Sequence, residues 1–382
     1  MSTKDATTDS RASGENERRI LRREPDPWLF RPLRIKSVDI RNRIMLSPMC
    51  QYSAEDGVPN DWHAVHLGAR AVGGAGIVCT EAVHTEPRAR ITRQCLGLWN
   101  NTQRDSFRRI VGFIEAQGAV PAIQLGHAGR KASVGRPWEG SRPVAAESGG
   151  WPAVSASALP YAKGWPMPVE LDLDEIRQCL EALAAAARRA CEAGFRIIEL
   201  HAAHGYLIHQ FYSPLSNQRS DHYGGSFENR VRFLLESVAA VRSEWSAERP
   251  LFLRLSVTDW VDGGWQLGDS IGLVQRLKKA GDVDLIDCSS GGNDPRQAIP
   301  IHPGYQLPLA QAIKSQGGML TGAVGLLHSP DLAESVIANG QADLVVLGRT
   351  LLADPMWPLR AAAALKAQNV PWPVQYERSN IF

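Results

Sequence analysis

The sequence has no long run of apolar residues, and this limits the classes of protein it can encode. No stretch of its 382 residues is long and apolar enough to span a membrane, since the Ala-rich segment 181–194 carries charges at helical spacing. Residues 1–26 also lack the apolar core of a signal peptide, and their Asp and Glu content argues against a transit peptide. We therefore expect no membrane partner and a disordered or loosely attached leader over residues 1–26.

The sequence also lacks a strong excess of charge of one sign and closely spaced pairs of cysteines. The net charge is +2 and no basic stripe alternates with aromatic residues, so no nucleic-acid partner is expected. The six cysteines are scattered without a CxxC pair, which suggests neither a zinc site nor a disulfide framework. They are typical of reduced thiols in a cytoplasmic protein.

Eight short apolar runs alternate with amphipathic, helix-like stretches. Continuous apolar runs suit strands that are buried on both faces of a parallel sheet. Helical patterns between them include residues 173–194, where Gly194 fits a left-handed C-cap, and residues 226–245. The eight predicted strands cover residues 42–49, 75–82, 120–127, 195–202, 250–257, 283–290, 318–325 and 342–349.

This alternation predicts a (β/α)₈ TIM barrel over residues 27–382, with a doubly wound open sheet as the alternative. Almost every run ends in polar or Gly residues, which favours the barrel, because its strand ends converge on one face that carries the active site. Two long connections, residues 128–172 and 203–225, would lie over that face. The first is rich in Pro, Gly and Ser and is predicted to be a loop or a short hairpin.

The fourth run ends in HAAHGY, which places His201, His204 and Tyr206 within six positions. Three interpretations compete: half of a metal site, an ordinary polar strand end, or a grip on a small molecule. A zinc site would need a third ligand and a second shell, for which Asp259, Asp287 and Glu81 at other strand ends are available.

A pattern that predicts phosphate binding lies at the ends of the last two predicted strands. The segments TGAVGLL (321–327) and LGRTLLADP (347–355) are Gly-rich turns after strands seven and eight, where such barrels usually bind phosphate, and Arg349 adds a charge. Arg254 lies inside an apolar strand and needs an anionic partner, with Gln124 on a neighbouring strand. A flavin with a ribityl phosphate fits this combination, because a cation near its N1 stabilises the negative charge that develops on reduction.

Four segments carry a resemblance to a known family: SPMCQYSAEDG (47–57), QLGHAGRKAS (124–133), HAAHGYLIHQFYSPLSNQRSDHYGGSFENR (201–230) and VPWPVQYER (370–378). They resemble the old yellow enzyme family of FMN-dependent ene-reductases, and most of all its bacterial thermophilic-like branch of NADPH dehydrogenases and xenobiotic reductases. The resemblance spans about residues 27 to 378 in register with all eight units.

The resemblance implies a role for each site residue. His201 and His204 would bind the carbonyl oxygen of the substrate, Tyr206 would be the proton donor, and Tyr52 would line the pocket as a second donor. Cys50 would lie near the reactive edge of the flavin and contact the substrate. The implied FMN-binding residues are Ser47, Pro48, Met49, Cys50, Ala82, Gln124 and Arg254 along the ring system, with Gly322, Gly325, Gly348 and Arg349 at the phosphate.

The resemblance also implies the reaction and the assembly. NADPH would reduce the flavin, which then reduces the C=C bond of an α,β-unsaturated aldehyde or ketone. No G-x-G-x-x-G motif follows the first strand, which agrees with a nicotinamide that binds transiently and then leaves. Arg378 resembles an arginine that reaches into the substrate site of a neighbouring subunit, so a homodimer or homotetramer is expected, with Trp372 at the same interface. His84, Ala89 and His222 depart from the family pattern and leave the substrate preference open.

Two other functions stay open at this point. One is a metal-dependent barrel lyase or hydrolase with His201 and His204 as ligands. The other is a non-catalytic protein that binds a flavin or another ligand.

Overall fold

The computed structural model describes residues 26–368 and 370–379, so the predicted leader, apart from Asp26, lies outside the described residues. The strands are β1 Leu33–Ile35, β2 Val38–Ile40, β3 Ile44–Leu46, β4 Ile77–His84, β5 Val120–Gly126, β6 Val154–Ser155, β7 Val169–Glu170, β8 Ile197–Ala202, β9 Leu251–Ser256, β10 Leu285–Ser289, β11 Leu320–Ala323 and β12 Leu344–Leu347. The helices are α1 Asp61–Val72, α2 Asn101–Ala116, α3 Leu173–Ala193, α4 Leu207–Tyr212, α5 Phe227–Glu244, α6 Leu267–Ala280, α7 Leu307–Ala312, α8 Pro330–Ala338, α9 Arg349–Ala353 and α10 Trp357–Ala364.

Eight parallel strands close into a barrel in the order β10-β11-β12-β3-β4-β5-β8-β9. Each of the eight predicted runs overlaps one barrel strand, and β4 extends two residues beyond its run. The TIM barrel is therefore confirmed and the open doubly wound sheet is wrong. The barrel strands are buried along almost their whole length, because helices cover the outer face while side chains fill the interior.

The N-terminal end of the barrel is filled by apolar side chains and closed by a hairpin. Strands β1 and β2 pair antiparallel, and their residues Ile35, Val38 and Ile40 pack against the first inward-facing layer of the barrel. That layer includes Met45 and Phe252, both fully buried. The interior is therefore dry at this end, and polar side chains begin one layer closer to the other end.

The two helices predicted in detail are confirmed with their end signals. The side chain of Asp172 accepts a hydrogen bond from the backbone N–H of Glu175 at the start of α3, and Gly194 ends it with φ 97°. Ser226 caps the start of α5 in the same way. Among the described residues, no helix combines the length and apolarity that a membrane crossing requires.

The two long connections lie after β5 and after β8. Residues 128–172 consist mainly of irregular chain and short 3₁₀ turns, and β6 and β7 within them pair in parallel, so the segment is not a simple hairpin. Residues 203–225 contain the short helix α4, whose first residue follows directly on Tyr206.

Candidate active site

A polar layer crosses the barrel interior above the apolar end. Gln124 Nε2 on β5 donates a hydrogen bond to Glu199 Oε1 on β8 at 2.7 Å. Arg254 on β9 donates from Nη1 to Ser47 Oγ at 3.1 Å, and its Nε lies 3.4 Å from Asp287 Oδ2 on β10. All five residues are at most 5% exposed. A buried layer with this much polarity is a candidate floor for a polar ligand.

Several polar atoms of this layer have no hydrogen-bond partner among the described residues. They are Arg254 Nε, Glu199 Oε2 and both carboxylate oxygens of Asp287. Buried polar groups are normally satisfied, so orphaned atoms of this kind indicate a bound group or a shared proton. Ala82, also implicated by the sequence, stands beside Gln124 in the β4–β5 register.

A cavity of about 190 Å³ lies where β11 and β12 end. Its lining includes Gly325, Gly348, Arg349 and Arg254, four of the residues that the sequence assigned to the cofactor. Gly322 does not line it, because this residue lies inside β11, where a Cβ would come within 2.9 Å of Val346. Gly325 has φ +129°, a conformation that only glycine adopts readily, and it leaves the cavity wall without a side chain.

The residues at the ends of β3 and β12 complete this side of the barrel mouth. Met49 packs against the core, and a Cβ on Gly348 would stand 3.2 Å from Met49 Sδ and 3.8 Å from Ser47 Cβ. Pro48 lies between Ser47 and Met49 in the chain. A cavity with glycines at positions 325 and 348, the exposed Arg349 and a buried, incompletely paired Arg254 fit an elongated group with an anionic end, as FMN is.

His201, His204 and Tyr206 lie together at the end of β8. The rings of His201 and His204 are 5.1 Å apart and those of His201 and Tyr206 4.9 Å apart, both edge to face. His204 adopts φ +60° and Gly205 φ +72°, and this tight turn brings all three side chains to one place. A Cβ on Gly205 would lie 2.3 Å from the carbonyl oxygen of Gly292, so the turn requires glycine there.

The hydrogen bonds of the two imidazoles differ. His204 Nε2 lies 2.6 Å from Ser289 Oγ, and its Nδ1 lies 3.4 Å from His201 Nε2. His201 Nδ1 is buried and has no partner among the described residues. Burial, reinforced by the positive charge of Arg254, lowers the pKa of both imidazoles well below the usual range, so both are neutral at physiological pH.

Cys50, Tyr52 and Tyr206 share one small apolar cluster, together with the fully buried Cys95. Hydrogen bonding to the Cys95 thiol is the largest cause that raises the pKa of Cys50 well above its usual value, and burial adds to it. Burial likewise raises the pKa of Tyr206 and of Tyr52, so both phenols keep their protons. The cluster therefore presents a neutral thiol and two protonated phenols.

The structure adds residues that the sequence reasoning did not single out. Lys131 Nζ donates to the carbonyl oxygens of His204 and Gly292 at 2.9 and 3.0 Å and lies 5.2 Å from the Tyr206 ring centre. Burial, with the nearby Arg130, lowers its pKa to about 8. Ser289 anchors His204, and Tyr305 lines the cavity. Lys131 belongs to the segment QLGHAGRKAS (124–133), so this segment could have identified it from the sequence.

Of the three positions that depart from the family pattern, His84 ends β4, while Ala89 and His222 lie in the connections after β4 and β8. His84 is buried, its Nδ1 lies 3.0 Å from the carbonyl oxygen of Leu96, and burial lowers its pKa to about 3. Ala89 is buried in a 3₁₀ turn, and the carbonyl oxygen of His222 accepts a hydrogen bond from Arg232. None of these contacts joins one of the three residues to a side chain of the polar layer.

The C-terminal segment lies at the surface. Arg378 is exposed in the 3₁₀ segment Val374–Ser379, and Trp372 is half-buried just before it. The reach of Arg378 into a neighbouring subunit therefore stays a prediction.

Among the described residues, one group combines three potential metal ligands: Glu86, His127 and Cys179. Its geometry is that of a hydrogen-bonded network in which Glu86 forms an ion pair with Arg88. His127 Nδ1 accepts from the backbone N–H of Gly129, so Nε2 carries the ring proton toward Glu86 Oε1 at 3.0 Å, and Arg88 Nε also donates to Glu86. His201 and His204 do not belong to this group.

The chain is similar to a described family over most of its length. A profile of the NADH:flavin oxidoreductase / NADH oxidase family matches residues 28–368. An NADPH dehydrogenase of Geobacillus thermodenitrificans is 44% identical over 352 residues, which is 92% of this chain and 98% of that protein. An NADPH dehydrogenase of Bacillus subtilis is 43% identical over 352 residues, with the same shares of both chains.

Solved structures give the same result for the fold. Morphinone reductase superposes with a TM-score of 0.73 at 27% identity and covers 92% of both chains. A 2-naphthoyl-CoA reductase in complex with 2-naphthoyl-CoA gives a TM-score of 0.80 at 28% identity over 88% of this chain. The chain spans about half of that larger protein, 52% of its length.

Proposed function

Since the chain belongs to the NADH:flavin oxidoreductase / NADH oxidase family, the old yellow enzyme family, and is an FMN-dependent NADPH oxidoreductase, we propose that it reduces the activated C=C bond of α,β-unsaturated aldehydes and ketones. The observation that carries the proposal is the contact among His201, His204 and Tyr206 beside the cofactor cavity. The solved neighbours named morphinone reductase and 2-naphthoyl-CoA reductase are reductases, which agrees with this reaction type.

The residues of the polar layer and the cavity would hold the cofactor. Arg254 and Gln124 would face its ring system, with Ser47, Met49 and Ala82 alongside, while Gly325, Gly348 and Arg349 would surround its phosphate. When bound, FMN supplies hydride transfer from NADPH to the β-carbon of the substrate. The positive charge of Arg254 would favour electron acceptance, because a cation beside the ring system would stabilise the negative charge that develops on reduction.

His201 and His204 would bind the substrate carbonyl oxygen. Because both imidazoles are neutral, each can donate only one N–H, and donation to that oxygen would use His201 Nε2 and His204 Nδ1, the two nitrogens that face each other. The 3.4 Å contact between the two rings is at the long end for a hydrogen bond, so a carbonyl oxygen can replace it at little cost. Donation to that oxygen draws electrons from the alkene and makes the β-carbon electrophilic.

Tyr206 would deliver the proton to the α-carbon. Its raised pKa keeps the phenol protonated, and its ring is fixed by contacts with His201 and Lys131. Cys50 and Tyr52 share its cluster and would contact the substrate beside it. A proton donor and an oxygen-binding pair in adjacent positions are what protonation of a developing enolate requires.

We further propose that the enzyme is a homodimer or homotetramer in which Arg378 reaches a neighbouring subunit's substrate site. The exposure of Arg378 beside the half-buried Trp372 supports this assembly, because a charged side chain there is free to contact another chain. Sedimentation of wild-type protein and Arg378→Ala would test it.

The deciding experiment is turnover by the purified holoenzyme. NADPH and cyclohexenone are supplied without oxygen, and NADPH loss and cyclohexanone are measured together. Equal amounts of NADPH consumed and cyclohexanone formed would support the proposal. NADPH oxidation by a flavin acceptor without any reduction of enones or enals would refute it. The metal-dependent lyase or hydrolase alternative gains no support, because the one group of potential ligands found among the described residues contains neither His201 nor His204.

A further inference from the structure

Two carboxyl groups are buried together in the polar layer, and the reaction described above uses neither of them. Glu199 and Asp287 are both 0% exposed. Their strands flank β9, where Asp287 is in register with Arg254 and Glu199 with Phe252. The carboxyls of Glu199 and Asp287 lie within hydrogen-bonding reach of each other. Two ionised carboxylates at this depth would cost far more free energy than the single cation Arg254 returns.

The hydrogen bonds show where a proton can sit. Glu199 Oε1 accepts from Gln124 Nε2 at 2.7 Å, which leaves Oε2 as the oxygen without a donor. Neither oxygen of Asp287 accepts a hydrogen bond from another described residue. If Glu199 Oε2 carries a proton and donates it to Asp287, a single hydrogen bond gives one oxygen of each carboxyl a partner.

The position of the Arg254 charge indicates which of the two acids is ionised. Arg254 Nε is 3.4 Å from Asp287 Oδ2, so Asp287 is the carboxyl that the cation stabilises in its ionised form. Burial is the largest cause that raises the pKa of Glu199, and the negative charge of Asp287 raises it further. The layer then holds one cation, one anion and one neutral acid.

We propose that Glu199 is a positioning residue that remains protonated, donates to Asp287, and keeps the layer below the bound FMN electrically neutral while it holds the Gln124 amide. Because Gln124 Nε2 points to Glu199, its carbonyl oxygen is turned away from Glu199 and available to a cofactor N–H. Loss of the Glu199 proton adds a negative charge below the ring system and makes reduction of the cofactor harder.

The other groups that face Glu199 do not supply this charge. Cys79 on β4 is buried and its pKa is raised, mainly by burial, so it is a neutral thiol. His201, two residues along β8, is neutral. Arg254 and Asp287 form a pair of opposite charge. In the described part of the chain, Glu199 is therefore the member of this layer whose protonation changes the net charge above neutral pH.

The first test is direct detection of the proton. Infrared difference spectra between wild-type holoenzyme and Glu199→Gln should contain the C=O band of a protonated carboxylic acid, and this band should weaken as the pH is raised. A wild-type spectrum without that band would overturn the proposal. The measurement does not depend on where FMN binds or on which substrate is reduced.

The second test is the midpoint potential of bound FMN between about pH 6 and 10. In the wild type, the plot of potential against pH should steepen above neutrality by one extra proton per two electrons, because reduction then draws a proton back onto Glu199. Glu199→Gln should keep the slope unchanged throughout. Asp287→Asn should move the steeper segment to lower pH, since the neighbouring negative charge that keeps the proton on Glu199 is gone.

The outcomes separate this inference from the proposed placement of the cofactor. A steeper segment that persists in Glu199→Gln would overturn the role of Glu199. If Arg254→Lys changes neither the potential nor the affinity for FMN, the placement of FMN over this layer is wrong, whatever Glu199 does. Glu86→Gln removes a carboxylate from the ion pair outside the layer and serves as the matched control, with an unchanged slope.

Discussion

The imidazole of His204 is anchored by Ser289, whose Oγ lies 2.6 Å from His204 Nε2. This contact ties the turn after β8 to the end of β10, two strands away in the barrel. Because His204 has the strained φ of +60°, its side chain needs such an anchor to keep one orientation. The substrate-binding pair is thus positioned by a residue outside its own motif.

Ser289→Ala should weaken substrate binding more than it slows the chemical step. Loss of one hydrogen bond to a buried imidazole costs roughly 1 kcal/mol, or about fivefold in KM for an enone. Steady-state kinetics with cyclohexenone measures the split between KM and kcat. Ser237→Ala removes a buried hydroxyl that bonds only within α5, at Phe233, and should leave KM unchanged. A decrease confined to kcat would contradict the anchoring role.

Tyr206→Phe should slow enone reduction and spare flavin reduction by NADPH. The phenol proton is needed only at the substrate, and loss of a positioned general acid costs about 10²- to 10⁴-fold. Stopped-flow absorbance of bound FMN resolves the two half-reactions. The control is Tyr161→Phe, a nearby phenol whose ring packs on Trp165. Slower reduction by NADPH with normal reoxidation by enone would reassign Tyr206.

The pH profile of kcat/KM for an enone should lack an ordinary histidine inflection. The pKa values of His201 and His204 are lowered by burial, so both imidazoles are already neutral at neutral pH and protonate only well below about pH 6.5. Activity should therefore stay level as pH falls through that value and decline only at lower pH. An inflection near pH 6.5 that disappears in His204→Asn would contradict the neutral pair.

The sequence specified the barrel because its signals are local and repeated. Each strand is a short apolar run, each ends in polar residues, and closure follows from eight repeats. The hairpin β1–β2 escaped prediction because its two strands have only three residues each and, unlike β3, do not lie within a longer apolar run. No pattern in that short a stretch distinguishes a barrel plug from a loop.

The candidate site was predicted where a motif carries it and missed where contact is made across strands. HAAHGY indicated the imidazole pair and the phenol, and the Gly-rich ends indicated the cavity. Ser289 and Glu199 gave no such signal, because their roles depend on which strands become neighbours of β9. Gly322 shows the converse: it belongs to the Gly-rich motif but lies one level below the cavity.

Cys50 should react slowly with alkylating reagents at neutral pH. Its raised pKa, caused first by hydrogen bonding to Cys95, keeps the thiolate fraction low, and the thiolate is the reactive form. Cys95→Ala removes that interaction and should speed iodoacetamide labelling of Cys50, followed by peptide mass spectrometry. The labelling rate of Cys191, half-buried on α3, is the internal reference. Equal rates at Cys50 in both proteins would contradict the thiol pairing.

Asp259→Asn should destabilise the turn that carries the catalytic motif. Asp259 is fully buried and accepts hydrogen bonds from Ser213 at 2.6 Å and from the Trp265 backbone at 2.9 Å, while His209 Nε2 lies 2.7 Å away. His209 Nδ1 accepts from the backbone N–H of Gly205 at 2.9 Å, so its proton is on Nε2 and points to Asp259. The carboxylate thereby fixes the helix α4 and the turn before it.

The expected loss is about 1 to 3 kcal/mol in the free energy of unfolding, because the amide leaves a buried donor without an acceptor. Burial alone would raise the pKa of Asp259, but His209 and the hydrogen bonds outweigh it and lower the pKa. The stabilisation is therefore present above the unfolded-state pKa of about 4 and is lost as pH falls through the lower folded-state value. Urea unfolding at neutral and acid pH measures it. Asp262 is an exposed carboxylate on the same loop, so Asp262→Asn should leave the free energy of unfolding unchanged. Equal stability of Asp259→Asn and the wild type at neutral pH would show that the contact between His209 and Asp259 does not hold the turn.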